Sequence, residues 1–274
     1  MNRPPRLLAS TLTAGLLLST AACSGDGGGF GRTDVPASPA AKESQAASAS
    51  ASGTRTLTEA QAKTALITDT DLGSQWSETQ GAATWRDALL KSKVDVAGFV
   101  TEKQNAVDCQ KLLDGLYGED LLGAPKGALA VTGFDDSDND GQMRYQVAAY
   151  GQAAVDAKLA WLKTLPDKCD QFVATDNKGG KQNVEVISAS APAEGDARAG
   201  LQMTMNGQLE GEPSTLTLDI GVVRVGDSAA FLTNGGLDGA ESDSTVQALQ
   251  QGAQRLKDVL AGKSPAAQPP GQQD

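Results

Sequence analysis

Three cysteines, at positions 23, 109 and 169 of 274 residues, constrain the fold more tightly than any other feature of this sequence. Cys23 closes an apolar N-terminal leader, whereas Cys109 and Cys169 stand 60 positions apart in the body of the chain. In an exported protein two such cysteines are expected to pair rather than persist as buried thiols. Closing a loop of that size restricts the unfolded chain by about 4 kcal/mol in the entropy model, comparable with the net stability of many domains. No CxxC spacing is present, so a redox role is not expected.

Export is argued from the leader. Arg3 and Arg6 precede the apolar run at residues 7–18, which is too short to span a bilayer but suits the core of a signal peptide. The segment Leu18-Ser19-Thr20-Ala21-Ala22-Cys23 resembles a bacterial lipobox, in which the cysteine is acylated and becomes the mature N-terminus; Thr20 departs from the usual aliphatic residue. The competing reading is an ordinary leader cleaved after Ala22, which would leave Cys23 as an odd thiol. Lipidation accounts for that thiol and leaves Cys109 and Cys169 to each other. Residues 1–22 are therefore expected to be a lipoprotein signal peptide, and residues 23–56 a lipidated cysteine and a Ser/Ala/Gly tether. As a flexible coil the tether would reach about 30 Å, enough to lift a domain off the outer face of the cytoplasmic membrane.

Residues 57–262 read as one α+β domain and residues 263–274 as a disordered tail. Thr58 is a candidate N-cap for a first helix, and Asp71-Leu72-Gly73 a stop. Trp76 and Trp85 follow; such rings either line a ligand site or find cover in a core. A strand with a bulge at Gly98 is expected over 94–103, and a helix over 108–117 with Cys109, Leu112, Leu113 and Leu116 on its inner face. Strands are expected at 129–134 and 142–150. Between them, Asp136, Asp138, Asp140 and Gly141 match the front half of a calcium loop, against the simpler reading of a solvated hairpin turn.

Residues 153–172 are expected to form an amphipathic helix with Ala153, Ala157, Ala160, Trp161 and Leu165 inward, ended by Pro166 and a turn bearing Cys169. A turn at 176–181 and strands at 183–189, 200–210, 216–225 and 228–234 follow, the last two joined by a tight turn at Gly226-Asp227. A final helix over 244–260 should bury Val246, Leu249, Ala253, Leu256 and Leu260 before Gly262 stops it. The expected fold is an antiparallel sheet of about five to seven strands flanked by helices, with one internal disulfide.

Composition excludes several functions. The sequence contains no histidine, which removes Ser-His-Asp, Cys-His and HExxH chemistry. Gly226-Asp227-Ser228 resembles the nucleophile block of GDS-type esterases, but nothing is available to activate Ser228, and the turn is the expected role. Net charge is −11, and loss of the leader makes it more negative, which argues against nucleic acid as a partner. No cofactor is expected, and the chain is not expected to be an enzyme.

The segment WLKTLPDKCDQF, with Trp161 and Cys169, together with Cys109 and the hairpin Val223-Arg224-Val225-Gly226-Asp227, resembles the PknH-like extracellular sensor domain of actinobacteria over residues 57–262. The resemblance implies a helix-flanked, disulfide-stapled sheet with a cleft for an extracellular ligand, on a receptor kinase or a free-standing lipoprotein. Members often carry two disulfides; this domain has cysteines for one. The expected partner is a small molecule or envelope ligand, with Trp76, Trp85, Tyr145, Tyr150 and Arg224 as candidate contacts. The alternatives are an assembly factor that docks another envelope protein and a hydrolase using paired carboxylates.

Overall fold

The computed structural model describes residues 56–80, 94–95, 105–139, 141–176, 179–209, 211–237 and 239–265. Thr58 caps helix α1 (Glu59–Thr64) through a capping box: Gln61 N–H donates to Thr58 Oγ1 at 3.2 Å, and Thr58 N–H to Gln61 Oε1 at 3.0 Å. A 3₁₀ turn at Asp69–Asp71 leads to β1 (Trp76–Glu78). Then come β2 (Val94–Asp95), α2 (Ala106–Tyr117), β3 (Leu129–Asp136), β4 (Gln142–Ala149), α3 (Gln152–Leu162) and α4 (Leu165–Lys168). Strands β5 (Gln171–Asp176), β6 (Lys181–Ser188), β7 (Ala197–Leu209), β8 (Glu212–Val225) and β9 (Ser228–Gly236) precede α5 (Ser242–Leu260).

All strand pairs are antiparallel, in the order β1-β3-β4-β9-β8-β7-β6-β5-β2. The nine strands exceed the expected five to seven. The excess comes from the short edge β1 and from β5, which begins where a helix-terminal turn was expected; β2 falls within the strand expected at 94–103.

Side chains alternate between two apolar cores, one on each sheet face. Leu201, Met203, Leu218, Ile220, Val222 and Phe231 join α2, α3 and α4 on the first face. Tyr145, Val147, Val223, Ala230 and Leu232 join α1 and α5 on the second. Beyond β8 the second face turns polar: Asn183, Glu185 and Asn206 are exposed there, as an antiparallel sheet permits. Two glycines let α5 sit low on the sheet. A Cβ at Gly252 would fall within 1.7 Å of the Tyr145 hydroxyl, and one at Gly221 within 2.3 Å of Leu249.

Several expected elements change. The stretch at 153–172 is two helices and the start of a strand, and Pro166 does not end the first helix. It lies in the opening turn of α4, where a missing N–H costs little. The buried side chains are Val155, Leu159, Leu162, Leu165, Cys169 and Phe172, while Ala153, Ala157 and Ala160 face solvent. Branched side chains gain more from burial than alanine does, and they set the helix rotation. On α5, Val259 rather than Leu260 is buried, and Val246 is only half covered, because Ser244, Thr245 and Ala248 carry the inner face at the N-terminal end. Strands β7 and β8 run longer than expected, pairing from Ala197 with Arg224 to Leu209 with Glu212. Of the strand expected at 94–103 only Val94–Asp95 is described; Gly98 and Trp85 lie outside the described residues, as do Cys23, the leader and most of the tether. Among the described residues no helix is long and apolar enough to cross a membrane.

Candidate functional site

The first-face helices are fastened covalently. Cys109 on α2 bonds to Cys169 after α4, with Cα atoms 5.7 Å apart and both residues fully buried. Around the bond, Asp108 accepts from Trp161 Nε1 at 2.9 Å and from Lys168 Nζ. The bond from Lys168 holds the Asp108 carboxyl below the usual carboxylate range, against the opposing effect of burial, and the Trp161 bond adds to it.

The chain leaves α2 in a Schellman turn. Glu119 N–H donates to the Leu116 carbonyl and Asp120 N–H to that of Gly115, with Glu119 at φ +59° where glycine is usual. Glu119 extends to Arg144 on β4 at 3.2 Å, and Arg144 continues to Gln146 and so to the Tyr150 hydroxyl. Burial is the main reason the Tyr150 hydroxyl is pushed up to about 12. Leu121 then folds back on Gly115, where a Cβ would stand 3.0 Å from it.

This turn, α2 and Lys158 of α3 border a shallow, solvent-open groove of about 790 Å³, lined by Val107, Lys111, Asp114, Asp120, Leu121 and Lys158 among others. Lys111 Nζ lies 4.4 Å and Lys158 Nζ 5.5 Å from the centre of the Trp161 ring. Lys158 also donates to the Leu121 carbonyl at 3.1 Å. Burial, then the neighbouring Lys111, draws its pKa down.

Of the candidate contacts singled out from sequence, the described ones, Trp76, Tyr145, Tyr150 and Arg224, do not line the groove. Trp76 is buried in the second-face core, its Nε1 3.4 Å from Ser244 Oγ. Tyr145 lies in the same core, where burial raises its pKa and its hydroxyl finds no hydrogen-bonding partner among the described residues. Tyr150 belongs to the first-face network. Arg224 is buried and ties Asp156 of α3 at 2.7 Å and Asp196 at 3.2 Å to the β8–β9 hairpin. Trp161, expected to point inward, is half-buried at the margin of the core.

The Asp136 carboxylate accepts from Asp138 N–H at 2.9 Å and Asn139 Nδ2 at 3.2 Å, as in a side-chain-capped turn. Asp140 lies outside the described residues, among which no group of three or more His, Cys, Asp or Glu side chains is placed to hold a metal ion. Ser228 is buried at the base of the hairpin, paired with Val225. Sequence reasoning missed Lys111, Asp114, Asp120 and Lys158. The available signal was the Lys158–Trp161 spacing, one helical turn, beside a helix whose outer face carries both charge signs.

No family model matches the chain, and no curated protein matches it. Among solved structures it is similar to the extracellular domain of PknH from Mycobacterium tuberculosis, with 12% sequence identity and a TM-score of 0.43, covering 77% of this chain and 100% of that one.

Proposed function

We propose that this chain is a non-catalytic extracellular binding domain that takes a small molecule or envelope ligand in the α2–α3 groove and is held at the outer face of the cytoplasmic membrane by acylation of Cys23. The observation that carries the binding role is the groove itself. Its volume of about 790 Å³ is in the range of small-molecule sites, and its walls are fixed by a buried disulfide and a capped turn. Docking of another envelope protein has less support. Among the described residues, the large exposed apolar side chains Val107, Leu129, Ile187 and Leu237 sit on separate elements.

An amide NMR titration of the full chain with a panel of amino acids, short peptides, glycan fragments and lipid headgroups tests the binding role. Shifts should cluster at residues 107–123 and 158–161; a panel that leaves those resonances still would retire the groove. Anchoring is tested by detergent-phase partition, in which the wild type should enter the detergent and Cys23→Ala should stay aqueous.

A further inference from the structure

We propose that the groove accepts a free amino acid or dipeptide as a zwitterion, its carboxylate between Lys111 and Lys158 and its ammonium towards Asp114 and Asp120. This rests on reading the groove as the binding site. In a chain of net charge −11, two ammonium groups are held over one tryptophan ring, 4.4 and 5.5 Å from its centre. Their mutual repulsion is one of the causes that lower the pKa of Lys158. A carboxylate placed between them would relieve that repulsion and meet two donors.

The other groups in the groove narrow the ligand further. A phosphate or dicarboxylate would also meet Asp114 and Asp120, and a plain ammonium would meet both lysines. A ligand with both charges complements each wall. Lys111 and Asp114 are three residues apart on α2, roughly 5 Å along the axis at 1.5 Å per residue. One extended residue spans about 3.5 Å and two about 7 Å, which brackets that rise. Val107, 73% exposed, gives the groove apolar surface that a side chain such as leucine would cover.

The test follows the Trp161 indole N–H resonance of the full chain, assigned by its loss in Trp161→Phe, during titration with Leu-Leu, acetyl-Leu-Leu, Leu-Leu-amide and glycerophosphoethanolamine. Leu-Leu should shift it, each blocked peptide should bind roughly tenfold more weakly, and Lys111→Met and Asp114→Asn should each weaken Leu-Leu by about the same factor. Both substitutions are on the outer side of α2, and an unchanged melting temperature would show that the fold is intact. Equal binding of the blocked peptides would overturn the zwitterion and leave the groove standing as a site. Binding of glycerophosphoethanolamine without Leu-Leu would assign the charge pattern to a lipid headgroup and overturn the peptide. Silence of Trp161 towards all four probes would overturn the proposal, whereas the groove itself fails only if the wider panel also leaves it unshifted.

Discussion

Glu119 occupies a left-handed backbone position at the end of α2, which costs a residue with a Cβ about 1 kcal/mol relative to glycine. Its carboxylate, 3.2 Å from the buried Arg144 guanidinium, supplies the compensation. Two substitutions separate the effects. Glu119→Ala keeps the backbone strain and loses the ion pair, while Glu119→Gly loses the pair and relieves the strain. Both should unfold at lower urea concentration than the wild type, with Ala the less stable by about 1 kcal/mol. A glycine variant more stable than the wild type would show that the pair does not hold Glu119 in place.

At the scale of elements, α3 borrows its cap. Gly151 precedes the helix at φ +91° with no side chain of its own to offer, and Asp227 of the β8–β9 turn, 75 positions beyond Gln152, fills the role. Its Oδ1 accepts from Gln152 N–H at 3.0 Å, and its carbonyl from the N–H groups of Tyr150 and Gly151. Asp227→Ala should cost about 1 kcal/mol in chemical unfolding and speed amide exchange in the first turn of α3. Unchanged exchange at residues 152–155 would refute the cap.

The turn at Gly226-Asp227 was legible because two residues between alternating strands have few conformations available, and Gly226 takes φ +59°. The inner face of α2 was equally legible, since Leu112, Leu113 and Leu116 leave one choice of rotation. The face of α3 was not: its alanines fit the helical period as well as Val155 and Leu159 do, and only the neighbouring sheet distinguishes them. The groove was hidden for a related reason. Lys111 and Asp114 look like an ordinary solvated helix face until Lys158 and the Leu121 turn are brought opposite them.

For the whole molecule, the disulfide joins α2 to the end of α4 across the first-face core. Cys109→Ser/Cys169→Ser should lose about 2–4 kcal/mol under non-reducing conditions and should weaken any ligand held by the groove, because α2 forms one wall. A double variant with the wild-type melting temperature would remove the covalent bond from the list of what sets the fold.

The second-face layer has a separate consequence. Helices α1 and α5 lie side by side, with Gln61 Nε2 3.5 Å from the Val259 carbonyl and Arg255 Nη2 3.4 Å from that of Thr64. The chain therefore comes into the sheet and departs from it through adjacent helices, on the face opposite the groove. That arrangement makes the domain a cassette: it can be spliced between two linkers or into a host loop at a single junction, with the groove left facing outward.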